Sequence, residues 1–265
     1  MNYSSSWEKA QTSVIEYRHP AHMGKITLVG ALHLGSRDYY KTLQGIIDDT
    51  EQAGGIVHHE GIKPASPDEL SAATPKDQAK EHRFNETLTA IENELYVATA
   101  FNGLVRQRDA LKPSGKWQCH DATSLQIAQH IGDQELDDMS HQVEQALNPS
   151  PEALAFTQIL KDMRAESDDE PEDKYQEIRR LIATLNDPYD ERPYWMTGFR
   201  EDIQLGAMDE HIVSRPGTDL TMVWGEKHLP SFEEGLYNRD YRVANEQQLV
   251  AIDLAQIASS NTEYS

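Results

Sequence analysis

The sequence predicts an α/β fold: a mixed, mainly parallel sheet from N- and C-terminal βαβ segments, with a large helical insertion between them. Three observations carry this. Residues 25–60 read strand, loop, helix, strand; residues 220–244 return to strand, helix, strand; and the text between about 122 and 213 is almost wholly helical in its periodicity. At 265 residues the expectation is a single domain over 1–265, long enough to bury a sizeable core.

Residues 12–18 and 25–31 read as two strands joined through His19-Pro20-Ala21-His22-Met23-Gly24 as a hairpin. Ser36 opens a helix running to about Ala53, with Tyr39, Tyr40, Leu43, Ile46 and Ile47 at helical spacing, and Gly54-Gly55 ends it. Ile56-Val57-His58-His59-Glu60 is the next strand, and because a helix intervenes the two strands are expected to run parallel. A helix over roughly 76–102 carries the stripe Phe84, Leu88, Ile91, Leu95 and Ala98. Trp117–Asp121 reads as a short strand closed by a Thr123 or Ser124 cap. Inside the helical stretch, Glu166-Ser167-Asp168-Asp169-Glu170-Pro171-Glu172-Asp173 has no apolar residue and a central proline, the signature of an exposed inter-helix loop. Leu220–Trp224 is then a strand, Ser231 to about Asn238 a helix with a Ser231/Glu234 capping box, Tyr241–Ala244 a further strand, and Leu249–Leu254 an edge strand.

One phrase is written twice in this frame. Thr27-Leu28-Val29-Gly30-Ala31-Leu32-His33-Leu34-Gly35-Ser36 and Thr221-Met222-Val223-Trp224-Gly225-Glu226-Lys227-His228-Leu229-Pro230-Ser231 each run strand, Gly-x-x-His-Leu, one turn residue and a serine placed to cap a helix. Gly-x-x-His also occurs at Gly55–His58, inside a strand-like run, so the information lies in the longer frame. That frame predicts the same local setting for His33 and His228.

The chain has 45 acidic against 24 basic residues, a net charge of −21 and a pI near 4.8. Such a field repels nucleic acid and anionic membranes, so neither is an expected partner. Cys119 is the only cysteine, which excludes an intrachain disulfide and fits a reducing compartment. The opening MNYSSSWEKAQTS has neither a basic n-region nor an apolar core, and no apolar run approaches the ~20 residues of a membrane span. The expected location is cytoplasmic.

In open α/β sheets, functional groups gather beyond the carboxyl ends of the strands. His33, Glu60, His120-Asp121 and His228 all fall at such ends. Two imidazoles with one or two carboxylates form a ligand set for a divalent ion with an open position, here His33, Glu60 and His228, with Asp121 either a further ligand or a helix cap. An ion so held polarises a carbonyl and acidifies its bound water. His58 shares a strand face with Glu60 while His59 points oppositely, and both read as structural. His19, His22, His82, His130, His141 and His211 show no pattern and read as surface or helix residues. Cys119, within a buried-looking strand, reads as core. Gly-x-Ser-x-Gly, HExxH, Walker and GxGxxG signatures are absent.

The two strand–GxxH segments, with an acidic residue closing the second strand, resemble the TraB/GumN family, which includes the Tiki metalloproteases and is distantly related to erythromycin esterase and ChaN-like proteins. The resemblance covers Ile26–Ile62 and roughly Phe199–Asn245, and is closest from Trp224 to Val243. It implies a divalent-metal-dependent hydrolase, peptidase- or esterase-like, using manganese, cobalt or zinc on a peptide or other small substrate. His33, Glu60 and His228 match the family's site, with Glu60 also able to act as general base. Arg200 matches the arginine of an Arg-Asn pair on the preceding helix, although Glu201 stands where asparagine is usual; by its chemistry alone it can clamp a substrate carboxylate or oxyanion or pair with an acidic neighbour. Two alternatives stand beside this: a metal-independent hydrolase with His33 as general base oriented by Glu60, and a non-enzymatic peptide-binding or regulatory protein. Oligomeric state is not encoded in any of these features.

Overall fold

The computed structural model describes residues 9–102, 104–147 and 198–253, of which 91–102 and 142–147 by their backbone alone. The chain begins with β1 (Lys9–Arg18) and β2 (Ile26–Ala31), which pair antiparallel as the hairpin expected from sequence. A two-residue strand, β3 (Leu34–Gly35), precedes α1 (Arg37–Gln52). The Oγ of Ser36 accepts the Tyr39 N–H at 3.2 Å, the N-cap that the sequence announced. Then come β4 (Ile56–His59), α2 (Pro67–Ala72), α3 (Pro75–Asn102), β5 (Val105–Arg106), α4 (Gln107–Ala110), β6 (Gln118–Cys119), α5 (Ser124–His130) and α6 (Asp133–Leu147). After residues outside the described set follow α7 (Phe199–Ser214), β7 (Leu220–Gly225), a 3-10 turn at Glu226–His228, α8 (Leu229–Tyr237) and β8 (Arg242–Asp253).

Six strands form one mixed sheet in the order β6-β4-β7-β2-β1-β8. β6, β4, β7 and β2 run parallel, and β1 is antiparallel to both its neighbours. β7 lies between β2 and β4, pairing Gly30 with Trp224 on one side and His59 with Val223 on the other. This position has a sequence cause. In the six-stranded sheet β2 and β7 are the two strands buried over nearly their whole length, ITLVGA and LTMVWG, and continuous apolar runs suit the centre of a parallel sheet covered on both faces.

Alternation sorts the side chains into two cores. Val29, Val57 and Val223 face α1 and pack with Leu43 and Ile47. Leu28, Met222 and Trp224 face the other way and pack with Leu205 and Met208 of α7 and Phe232 and Leu236 of α8. A third cluster of Phe84, Ala122, Ile127, Ile131 and Leu136 ties α3, α5 and α6 beyond the β6 edge.

Several boundaries differ from the sequence reading. Tyr241–Ala244 and Leu249–Leu254 are not separate strands: Arg242–Asp253 is one 12-residue strand that follows β1 with two register shifts. Its middle is exposed on both faces, so no apolar alternation marks it. Ser231 is no N-cap, because the 3-10 turn at Glu226–His228 winds directly into α8, with Pro230 in the first helical turn where its fixed φ is suited. Of the stretch 122–213 only the ends are seen, as α5, α6 and α7; the acidic run 166–173 lies outside the described residues. No helix among the described residues is long and apolar enough to cross a membrane.

Candidate functional site

The parallel strands deliver Glu60, Asp121, His228 and His33 to one end of the sheet, and α7 adds Arg200. Glu60 follows β4, and its backbone N–H donates to the Val223 carbonyl at 2.9 Å, extending the ladder by one residue. Its Oε2 accepts the Gly225 N–H at 2.7 Å. A Cβ on residue 225 would lie 3.2 Å from that oxygen and 3.3 Å from the His228 ring, so glycine permits the close approach.

Arg200, buried on α7, joins the two carboxylates. Its Nε donates to Asp121 Oδ1 at 2.8 Å, and its Nη2 donates to Glu60 Oε1 at 2.8 Å and to Asp121 Oδ2. The guanidinium also lies 5.2 Å from the Trp224 ring centroid, stacked on a fully buried indole. Asp121 further accepts the backbone N–H groups of Gly61 and Ala122, while Thr123 caps α5. Asp121 is thus an arginine partner, and the capping role belongs to its neighbour.

His228 sits between two acids. Its Nδ1 lies 2.6 Å from Glu201 Oε1 and its Nε2 3.4 Å from Glu60 Oε1. Burial opposes the imidazolium, but the hydrogen bonds to Glu201 and Glu60 outweigh it and push the pKa up to about 9. Burial likewise opposes an ionised Glu60. The hydrogen bond and charge of His228, with the charges of Arg200 and His33, reverse that and hold it well below the usual carboxylate range. The Glu60 side chain as a whole keeps 16% of its surface exposed, while its carboxylate oxygens are engaged by Arg200, His228 and the Gly225 N–H.

His33 is in a different setting. It is exposed on an extended loop, pinned on either side by Tyr40 Oη donating to the Leu32 carbonyl at 2.6 Å and the Gln107 N–H donating to the His33 carbonyl at 2.9 Å. The two GxxHL phrases therefore converge on one region but present unlike histidines, one open and one a buried imidazolium in a helical turn.

Sequence reasoning missed three features. Glu201, read only as a departure from a pattern, is the carboxylate that holds His228. Glu226, inside the second phrase, turns back over the first: Ser13 donates to it from backbone N–H at 2.8 Å and Oγ at 2.7 Å, and a Cβ on residue 30 would collide with its Oε2. His211, which shows no pattern in the sequence, is buried beside His58, with their rings 5.7 Å apart, and the His120 ring lies 4.4 Å from that of His58. His58 Nδ1 is 2.8 Å from Gln204 Nε2, and burial first, then the neighbouring imidazoles, push its pKa down to about 3. Cys119 is half-buried, its thiol donating to the Gly61 carbonyl at 2.8 Å, and burial pushes its pKa up.

A ligand set for a divalent ion needs neutral imidazoles and open carboxylate lone pairs. Here His228 is held as an imidazolium, while Asp121 and Glu60 spend their oxygens on Arg200, His228 and backbone N–H groups. Two cations already face three carboxylates, Glu60, Asp121 and Glu201. In this arrangement the residues do not fit a metal ion, and among the described residues no group of three His, Cys, Asp or Glu side chains is placed to hold one.

No family model, no curated protein and no solved structure matches this chain.

Proposed function

We propose that the chain is a hydrolase acting on an ester or peptide carbonyl through His33 and Glu60, with no resident metal ion. The observation that carries this reading is Glu60: a carboxylate kept ionised by Arg200 and His228, on a side chain that is only partly buried at the strand ends, and within electrostatic reach of His33. In the proposed step His33 takes a proton from water, the resulting hydroxide attacks the carbonyl carbon, and the proton passes from His33 to the leaving group. Glu60 stabilises the imidazolium that forms on His33. The fixed positive charges of Arg200 and His228 keep Glu60 from taking the proton itself. The reading agrees with the erythromycin-esterase side of the resemblance rather than its metalloprotease side.

The test is to assay exhaustively chelated protein against a panel of activated esters and fluorogenic peptides. Turnover should survive chelation, and His33→Ala should lower kcat/KM by about 100-fold or more with an unchanged circular dichroism spectrum. Activity lost on chelation and restored by manganese, cobalt or zinc would return the site to the metal-dependent reading. Peptide binding without turnover would make it a binding site.

A further inference from the structure

A groove of about 800 Å³ runs between α1 and the segment 104–112, and none of its lining residues belongs to the Glu60–Arg200 cluster. Both ends of the groove are tied. At one end β3 pairs with β5, Leu34 against Arg106 and Gly35 against Val105. At the other, the Lys112 N–H donates to Gln44 Oε1 at 2.8 Å while Gln44 Nε2 donates to Asp48 Oδ1 at 2.7 Å. The walls are therefore held apart by the fold, as in a preformed ligand pocket, and the volume is in the usual range for one.

Its charge is the reverse of the chain's. Arg37, Lys41, Arg106 and Lys112 line it against only Asp48 and Asp109, a local excess of two positive charges (4 − 2) in a chain of net −21. Arg106 Nε is 2.6 Å from Asp109 Oδ2, which fixes one guanidinium in the wall. The floor is apolar, made by Tyr40, Leu104 and Ala110. A plain surface patch of a protein this acidic has no reason to gather four cations around an apolar floor.

We infer that this groove binds a small phosphate-bearing molecule with an apolar or aromatic body. A phosphate monoester carries about −1.5 to −2 charge near neutral pH, which matches the local excess, whereas a single carboxylate leaves half of it unanswered. Guanidinium groups on opposite walls suit the oxygens of such an anion, and the tyrosine and aliphatic floor suits the body. The site stands independently of the hydrolase reading.

The test uses phenylphosphonate, a phenyl ring bearing a non-hydrolysable dianion, titrated calorimetrically into the full chain beside inorganic phosphate. Saturable binding of phenylphosphonate is expected, tighter than that of phosphate, and weakening as salt is raised. The exposed pair Arg37→Ala/Lys41→Ala should weaken it by about tenfold or more without changing the melting temperature, and Lys112→Glu should weaken it independently. No saturable heat up to about 10 mM phenylphosphonate overturns the inference. So does unaltered affinity in these variants, which would put the anion elsewhere. Equal affinity for phosphate and phenylphosphonate would remove the apolar body from the proposed ligand.

Discussion

Nδ1 of His228 lies 2.6 Å from Oε1 of Glu201, joining the turn after β7 to the first turn of α7 in a contact buried at both ends. Glu201 also accepts the Gly198 N–H, so one carboxylate orders the helix start and keeps its neighbour protonated. Glu201→Ala leaves that imidazolium with Glu60 alone and should cost about 3–5 kcal/mol. Glu201→Gln, which can still accept a hydrogen bond, should cost less and lower the His228 pKa from about 9. An NMR titration reads this directly; an unmoved His228 pKa would show that Glu60 suffices.

The two glycine phrases meet physically where Glu226 covers Gly30. Gly30→Ala should destabilise by about 1–3 kcal/mol by forcing the carboxylate off Ser13. Adding Glu226→Ala to that variant should relieve the clash, giving a coupling energy of about 0.5–3 kcal/mol in a double-mutant cycle. Additive losses would place the strain elsewhere.

Stability should depend on pH in a definite direction. His228 has a folded pKa raised from 6.5 to about 9, so its contribution is complete below 6.5 and is lost as pH rises through about 9. That loss is about 3 kcal/mol. Glu60 is depressed below 4.5, so its contribution is present above 4.5 and lost as pH falls through its folded value. For this pair stability is greatest between these limits. Urea denaturation across pH should show the alkaline decline, and His228→Gln should flatten it.

Glu233 is a buried carboxylate whose pKa is pushed up to about 7, first by burial and then by the charges of Glu246 and Glu226. A raised pKa means that its contribution is present below 4.5 and lost as pH climbs through about 7. Glu233→Gln should therefore stabilise the protein by about 1–3 kcal/mol near pH 8 and change little near pH 4. The same shift in denaturation midpoint at both pH values would refute this.

The strands β2, β4 and β7 and their loaded ends are readable because each starts on apolar residues and has a glycine or acid at its exit and a helix signal beyond. Ser36 shows how local that information is: it caps α1 through an oxygen three residues from its partner. Ser231 has the same place in the second phrase and does not cap, since the turn before it is already helical. The insertion of β7 between β2 and β4 depends on pairing across about two hundred residues, which no local pattern encodes. Glu201 and Glu226 were opaque for a related reason. A buried carboxylate is recognised by its partner, and their partners, His228 and Ser13, lie far off in sequence.

Placing β7 at the centre also sets a schedule for synthesis. The ribosome releases β2 and β4 long before Leu220–Gly225 emerge, so both wait with open ladder edges for a shared neighbour. The nascent chain must keep that slot vacant until residue 220 has been made. His228, and the charge balance it brings to Glu60, arrives with the strand that closes it.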